Sequence, residues 1–147
     1  EMAAADDGRY PDRPRVAVGA VVFKGERVLL VKRGKPPSAG TWAIPGGSVG
    51  LGETLRLAAE REVLEETGVR IRAGEPVLTF ETIETDPDGQ VRFHYVIVDL
   101  AAEHLGGEPQ AASDADEACW VSAADLQRLN VNRRTRELLR DRFDFGA

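Results

Sequence analysis

Between Gly47 and Val69 the chain reads Gly47-x5-Glu53-x7-Arg61-Glu62-Val63-x-Glu65-Glu66-x-Gly68-Val69. With average residue usage of about 7% at seven fixed positions and about a third at the two apolar ones, a chance match in a chain of this length is roughly one in ten million. The spacing first describes a helix. Thr54 to Thr67 holds strong helix formers without Gly or Pro, the Gly50-Leu51-Gly52 turn precedes it, and Gly68 supplies the C-terminal stop. Residues three and four apart share a helix face, so Glu62, Glu65 and Glu66 project from about one turn. Leu55, Ala59, Glu62 and Glu66 continue one stripe, which leans these acids toward the packed side. Clustered carboxylates in such a place repel unless a cation neutralises them, and hard oxygen donors select Mg²⁺ or Mn²⁺. A divalent metal site is the expectation; for Glu65 and Glu66 taken alone, a merely solvated helix face is the alternative. Pro45-Gly46-Gly47 precedes the helix where a backbone must approach something closely, and its carbonyls are candidate metal ligands, an ordinary turn being the other reading. Arg61 can pair with Glu53 and hold the loop against the helix, or contact phosphate directly.

Length and charge bound the rest. A chain of 147 residues with 42% hydrophobic content can bury one core, so residues 15–145 are expected to form a single domain behind a flexible lead-in over 1–14. Nineteen Lys and Arg against 25 Asp and Glu leave a net charge of −6, which disfavours a nucleic acid polymer or an anionic membrane as partner. A small phosphate ligand remains compatible, because a divalent metal and local cations can outweigh that balance inside a cleft. The single Cys119 excludes an intrachain disulfide and fits a reducing, cytoplasmic setting. No apolar stretch approaches the length of a membrane span, and the first 14 residues lack the cationic and apolar segments of a secretory signal.

The pattern along the chain mixes strands with helices. Val16 to Phe23 and Arg27 to Arg33 read as a hairpin about Lys24-Gly25-Glu26, with apolar runs that imply cover on both faces. A polar loop over Gly34 to Gly40 leads to a short strand at Thr41 to Ile44. After the helix, Val69 to Arg72 alternates, Pro76 separates it from a strand over Val77 to Glu84, and Asp86-Pro-Asp-Gly89 turns into Val91 to Leu100. Ala101 to Asp116 reads as loop and Ala118 to Val121 as a short strand. Helices follow over Ala123 to Leu129 and Arg133 to Asp141, capped by Ser122 and Asn132. This is an α/β chain with a sheet flanked by helices.

The Gly47–Val69 stretch matches a complete Nudix box, and the chain resembles Nudix hydrolases over roughly residues 14 to 130. The resemblance implies an α/β/α sandwich with a mixed β-sheet, and Mg²⁺-dependent hydrolysis of a nucleoside diphosphate linked to another moiety. It implies Glu62 and Glu66 as principal metal ligands with the Gly46 carbonyl as a backbone ligand. Glu65 would join a further metal or serve the attacking water. Relatives differ in the acid used as general base, and some take it from a later loop; here that candidate is Glu117, in Asp114-Ala-Asp-Glu-Ala-Cys-Trp120, with an exposed loop acid as the alternative. Dimerisation in relatives of the ADP-ribose type implies that two copies can assemble.

Substrate readings are broader. Val28-Leu-Leu-Val-Lys-Arg-Gly34, the Pro36-Pro37 loop, Trp42-Ala-Ile-Pro-Gly-Gly47 and Phe93-His-Tyr-Val-Ile-Val-Asp99 resemble ADP-ribose pyrophosphatases. Arg33 and Lys35 could meet phosphate or ribose, or be solvated loop charges; Trp42, Phe93 or Tyr95 could stack on a base, or be core. His94 could contact a ligand or be a plain surface histidine. Three functions stay open: a pyrophosphatase acting on ADP-ribose or a related nucleotide sugar, a nucleoside triphosphate pyrophosphohydrolase, and a nucleotide-sensing module without turnover. For hydrolysis, metal ions and a carboxylate base would activate water against the diphosphate, with no protein nucleophile needed.

Overall fold

A computed structural model describes residues 8–35, 39–111 and 115–146. Ten elements follow in order: β1 (Arg15–Lys24), β2 (Arg27–Arg33), β3 (Trp42–Ala43), β4 (Gly46–Ser48), α1 (Leu55–Thr67), β5 (Arg70–Thr85), β6 (Val91–Gly106), β7 (Ala115–Ser122), α2 (Ala123–Leu126) and α3 (Arg133–Phe143). The mixed sheet runs β3-β2-β1-β6-β5, with β4 added beside β1 and β7 beside β2. Parallel pairing of β1 with β6 lies at its centre and is flanked by antiparallel ladders.

Alternation along β1 divides the core between two faces. Val18, Ala20 and Val22 point to the side where α1 lays Ala58, Ala59 and Val63, whereas Val21 and Phe23 meet Leu126 of α2 and Leu138 and Leu139 of α3. Helices thus cover both faces of a mixed sheet, the α/β/α sandwich that the resemblance implied. The double cover also explains why β1 and β2 carry continuous apolar runs.

Local chemistry sets the helix ends. The Thr54 hydroxyl accepts from Leu57 N (3.1 Å) to open α1; Gly68 closes it in the left-handed region (φ 75°), its N–H donating to Leu64 O. Ser122 and Asn132 cap α2 and α3 as expected, although α2 stops at Leu126 instead of Leu129.

Three expectations need correction. Residues 101–106 are not loop: β6 runs on to Gly106 because the start of β5 supplies its partners, from Arg70 opposite Gly106 to Ala73 opposite Ala102. Pro76 does not split β5 but sits at a register shift on this edge strand, where its missing N–H breaks no ladder on the outer side. The glycine pair before the helix forms β4, with Gly46 opposite Gly19 and Gly47 opposite Val18. Within the lead-in, Tyr10 N donates to Arg92 O and the Tyr10 hydroxyl to Asp86, so that segment rests on the β5–β6 hairpin.

Because Gly68 occupies a backbone region that costs other residues roughly 1–2 kcal/mol, Gly68→Ala should lower the unfolding free energy by about that amount in denaturant melts. An unchanged midpoint would contradict its role as the helix stop.

Candidate active site

The acids of α1 do not share one environment. Glu66 is 8% exposed and turned inward, and its Oε1 accepts from the backbone N–H of Gly46 at 2.8 Å. Glu62 is also largely covered, lying over the backbone of Gly47, whereas the Glu65 side chain is 50% exposed and faces outward. The convergence of all three expected from helical spacing is therefore absent: among the described residues no three His, Cys, Asp or Glu side chains gather into a ready cation site. Helical periodicity puts 62, 65 and 66 on one broad arc, but β4 covers only the side that carries 62 and 66.

Arg61 organises this corner. Its guanidinium donates to both Glu53 oxygens (2.7 and 2.8 Å), to Ser48 O (3.0 Å), to Glu62 Oε1 (2.8 Å) and to Glu65 Oε2 (3.2 Å). The bidentate bond, helped by the Gly50 N–H, holds the Glu53 carboxyl down at about 2, and the paired acids raise Arg61 further above its ordinary range. The Gly50–Glu53 turn is thereby fastened to the helix.

Glycines 46 and 47 have ordinary extended backbones; they are required for space. A methyl group at Gly46 would run into the Val18 carbonyl, and one at Gly47 would overlap the Glu62 carboxyl. In an extended strand a residue's N–H and C=O point to the same side, so the Gly46 carbonyl faces as its N–H does, toward Glu66. Two inward carboxylates and a backbone carbonyl form a donor set of hard oxygens that suits Mg²⁺ or Mn²⁺, with water and substrate oxygens to complete the shell.

Glu62, Glu66, Gly46 and Gly47 open onto a cleft of about 1050 Å³ on the opposite face of the sheet from α1. Arg15, Arg33, Lys35, Arg133 and Arg134 line it together with Glu62, Glu66, Glu81, Asp99 and Glu137. Five basic side chains stand against five acidic ones there, so the cleft does not share the −6 balance of the whole chain. Its floor alternates outward from the sheet as Ala17 and Gly19 on β1 and Tyr95, Ile97 and Asp99 on β6.

This geometry sorts the substrate candidates. Arg33, Lys35 and Tyr95 line the cleft. Trp42 does not: it is 8% exposed and packs in the core with Val21, Leu126 and Val131, fixed there by the exchange of bonds between its backbone and residues 130 and 132. His94 lies on the other face of β6 from Tyr95, since neighbours on a strand point oppositely. Phe93 is buried and stacks on Tyr95 from within. Glu117 is on strand β7, not on a loop; its side chain is 60% exposed and pairs with Lys32 on β2, away from the cleft. Pro36, Pro37 and Asp114 lie outside the described residues.

Sequence reasoning passed over Arg15, Phe80, Arg134 and Asp99. The Arg134 guanidinium stands 4.5 Å from the Phe80 ring and the pair forms part of the cleft wall. Asp99 is 5% exposed, and burial raises its carboxyl to about 7. Its signal was available as one acid inside the apolar run Val96-Ile-Val-Asp-Leu100, in step with Tyr95 and Ile97.

A family model described as NUDIX domain matches residues 13–141. An ADP-ribose pyrophosphatase of Methanocaldococcus jannaschii is 36% identical over 116 residues, covering 79% of this chain and 66% of that protein. A provisionally named 8-oxo-dGTP diphosphatase 2 of Mycobacterium tuberculosis is 35% identical over 124 residues, with 79% of each chain covered. The crystal structure of a MutT NUDIX hydrolase from Burkholderia pseudomallei is similar with a TM-score of 0.68 and 31% identity over 87% of this chain and 97% of that one.

Two outcomes follow from these contacts. Gly47→Ala, whose backbone any residue tolerates, should displace Glu62 and lower metal-dependent turnover by about 10²-fold with little change in melting temperature. A wild-type rate would show that Glu62 needs no such closeness. For Asp99, a folded value raised above the unfolded one means that stability falls as pH rises from about 4 to about 7. Asp99→Asn should therefore gain stability over the wild type as pH climbs through that window, by a few kcal/mol at pH 8, and the gap should close toward pH 4. A pH-independent difference in paired melts would contradict the buried, ionising carboxyl.

Proposed function

The chain belongs to the Nudix hydrolase family, and from that premise we propose that it hydrolyses a nucleoside diphosphate linked to another moiety, ADP-ribose or a related nucleotide sugar before others. The carrying observation is that Glu62, Glu66 and Gly46 share one cleft with Arg33, Lys35, Tyr95 and Ile97. A cleft of about 1050 Å³ accommodates a ligand with a group on either side of a diphosphate, at the upper end of typical small-molecule sites. The name of the Methanocaldococcus relative favours ADP-ribose; the name of the Mycobacterium relative favours a nucleoside triphosphate, which is the second reading.

In this reading Glu62, Glu66 and the Gly46 carbonyl would hold Mg²⁺ or Mn²⁺. Such an ion, when bound, supplies charge neutralisation at the phosphate oxygens and a more acidic water. Glu66 is steadied by the Gly46 N–H and Glu62 by Arg61, so both carboxylates are oriented before substrate arrives. Arg33 and Lys35 would take the outer phosphate oxygens, and Tyr95 with Ile97 would offer a flat surface to the rest of the ligand. Glu65, bonded to Arg61 at the exposed edge beside Glu62 and Glu66, would serve the attacking water as the resemblance implies; Glu117, paired with Lys32 on the far side of β2, would lie outside this arrangement.

A substrate panel with product identification tests the assignment. ADP-ribose should give AMP and ribose phosphate only with Mg²⁺ or Mn²⁺ present, and Glu66→Gln should lower that turnover by at least about 10²-fold with the fold intact. Turnover confined to triphosphates would move the assignment to the second reading. Nucleotide binding without any product at high enzyme and metal would make the protein a sensor.

A further inference from the structure

The segment ahead of β1 reaches into the cleft. Gly8 is buried and lines it together with Arg15 and Tyr95. Space requires a glycine there: a methyl group would run into the Tyr95 hydroxyl, and the backbone stands in the left-handed region (φ 81°). Two residues on, Tyr10 N donates to Arg92 O at 2.8 Å and the Tyr10 hydroxyl donates to Asp86 Oδ2 at 2.9 Å. Asp86 is itself held by the N–H groups of Asp88 and Gln90, both at 2.9 Å, so the anchor is the fixed turn between β5 and β6. Tyr10 has φ 53°, a region that a residue with a side chain seldom occupies unless its surroundings hold it there. Residues 8–10 thus form a strap, latched to the hairpin by Tyr10 and set against Tyr95 by Gly8.

The strap stands apart from the acids. Tyr95 is opposite Arg15 on β1 and Gly46 is opposite Gly19, so four residues of strand, about 13 Å, separate the two places along β1. What the strap meets is therefore a part of the ligand away from Glu62 and Glu66, and what it fixes is the Tyr95 ring that lines the cleft there. Neither Gly8 nor Tyr10 brings a base or a nucleophile, so the contribution is to binding. We propose that Gly8–Tyr10 is a cleft wall whose docking is linked to ligand: the docked strap completes the site for a nucleotide bearing a diphosphate, and the bound nucleotide holds the strap down. The coupling is reciprocal, because a ligand that touches only the docked form favours docking by the same factor that docking adds to its affinity. The unfavourable φ at Tyr10 works against docking, which leaves the equilibrium within reach of a ligand. The proposal rests on the nucleotide reading of the cleft but not on turnover.

Analogues of ADP-ribose and of a nucleoside triphosphate with a methylene group between the α and β phosphorus atoms cannot be cut there, and with Mg²⁺ they serve as probes. Saturating the whole chain with whichever binds should slow hydrogen exchange of the Tyr10 N–H about tenfold. Tyr10→Pro loses that N–H, the hydroxyl and the positive φ together, and should weaken binding of the same analogue by a similar factor in calorimetric titration. Gly8→Ala, which keeps the Tyr10 anchors but pushes on Tyr95, should weaken it as well. A merely structural segment would lower the melting temperature of Tyr10→Pro and leave its affinity at the wild-type level. That result, or a bound analogue that leaves Tyr10 exchange unchanged, overturns the proposal. Failure of both analogues to bind the wild type would remove the nucleotide reading and the linked strap with it, whereas linkage without turnover of ADP-ribose or triphosphates would count against the proposed reaction alone.

Discussion

The Arg61 guanidinium is the interaction on which the site depends. One planar cation with five donors ties the Gly50–Glu53 turn, the end of β4 and two acids of α1 into a single unit. Without it, Glu53, Glu62 and Glu65 would repel across a few ångströms and the turn would have no hold on the helix. A lysine ammonium lacks the fork that meets both Glu53 oxygens while still reaching Glu62. The same bonds fix which Glu62 oxygen faces the guanidinium, leaving the other over Gly47.

Sheet topology then brings the acids and the cleft together. α1 packs on the face of β1 carrying Val18, Ala20 and Val22, while the cleft opens on the face carrying Ala17 and Gly19. Only β4 stands between them, and it is made of residues small enough to let carboxylates on one side meet a ligand on the other. A helix that would otherwise be a structural brace is thereby part of the cleft wall. The parallel β1–β6 ladder sets the depth of the floor, since its register places Arg15 beside Tyr95 at one end and Gly19 beside Asp99 at the other.

What could be seen in the sequence was what depends on near neighbours. The α1 helix, its Thr54 opening and Gly68 stop, the β1–β2 hairpin and the caps at Ser122 and Asn132 all rest on interactions within a few residues. The pairing of Glu53 with Arg61 spans two turns and was also within reach. Features that depend on distant partners were not. Residues 101–106 have little β preference of their own and become strand because 70–76 present a free edge. Trp42 and His94 are set by which face of the sheet each meets, and a one-residue change in register would exchange those faces. Glu117 is drawn away by a cross-strand lysine that no local pattern reveals. Asp99 stands out in sequence as an acid inside an apolar run, but only its pairing with Gly19 puts it on the floor of the cleft.

The central physical claim is that two α1 carboxylates and a β4 carbonyl bind a divalent cation at the wall of this cleft. Anomalous diffraction from crystals soaked in Mn²⁺ measures that directly. The account predicts one dominant peak bounded by Glu62, Glu66 and the carbonyl of Gly46, within the cleft. A peak at Glu117, or an ordered lattice that takes up Mn²⁺ only at exposed surface acids remote from β4, would contradict it.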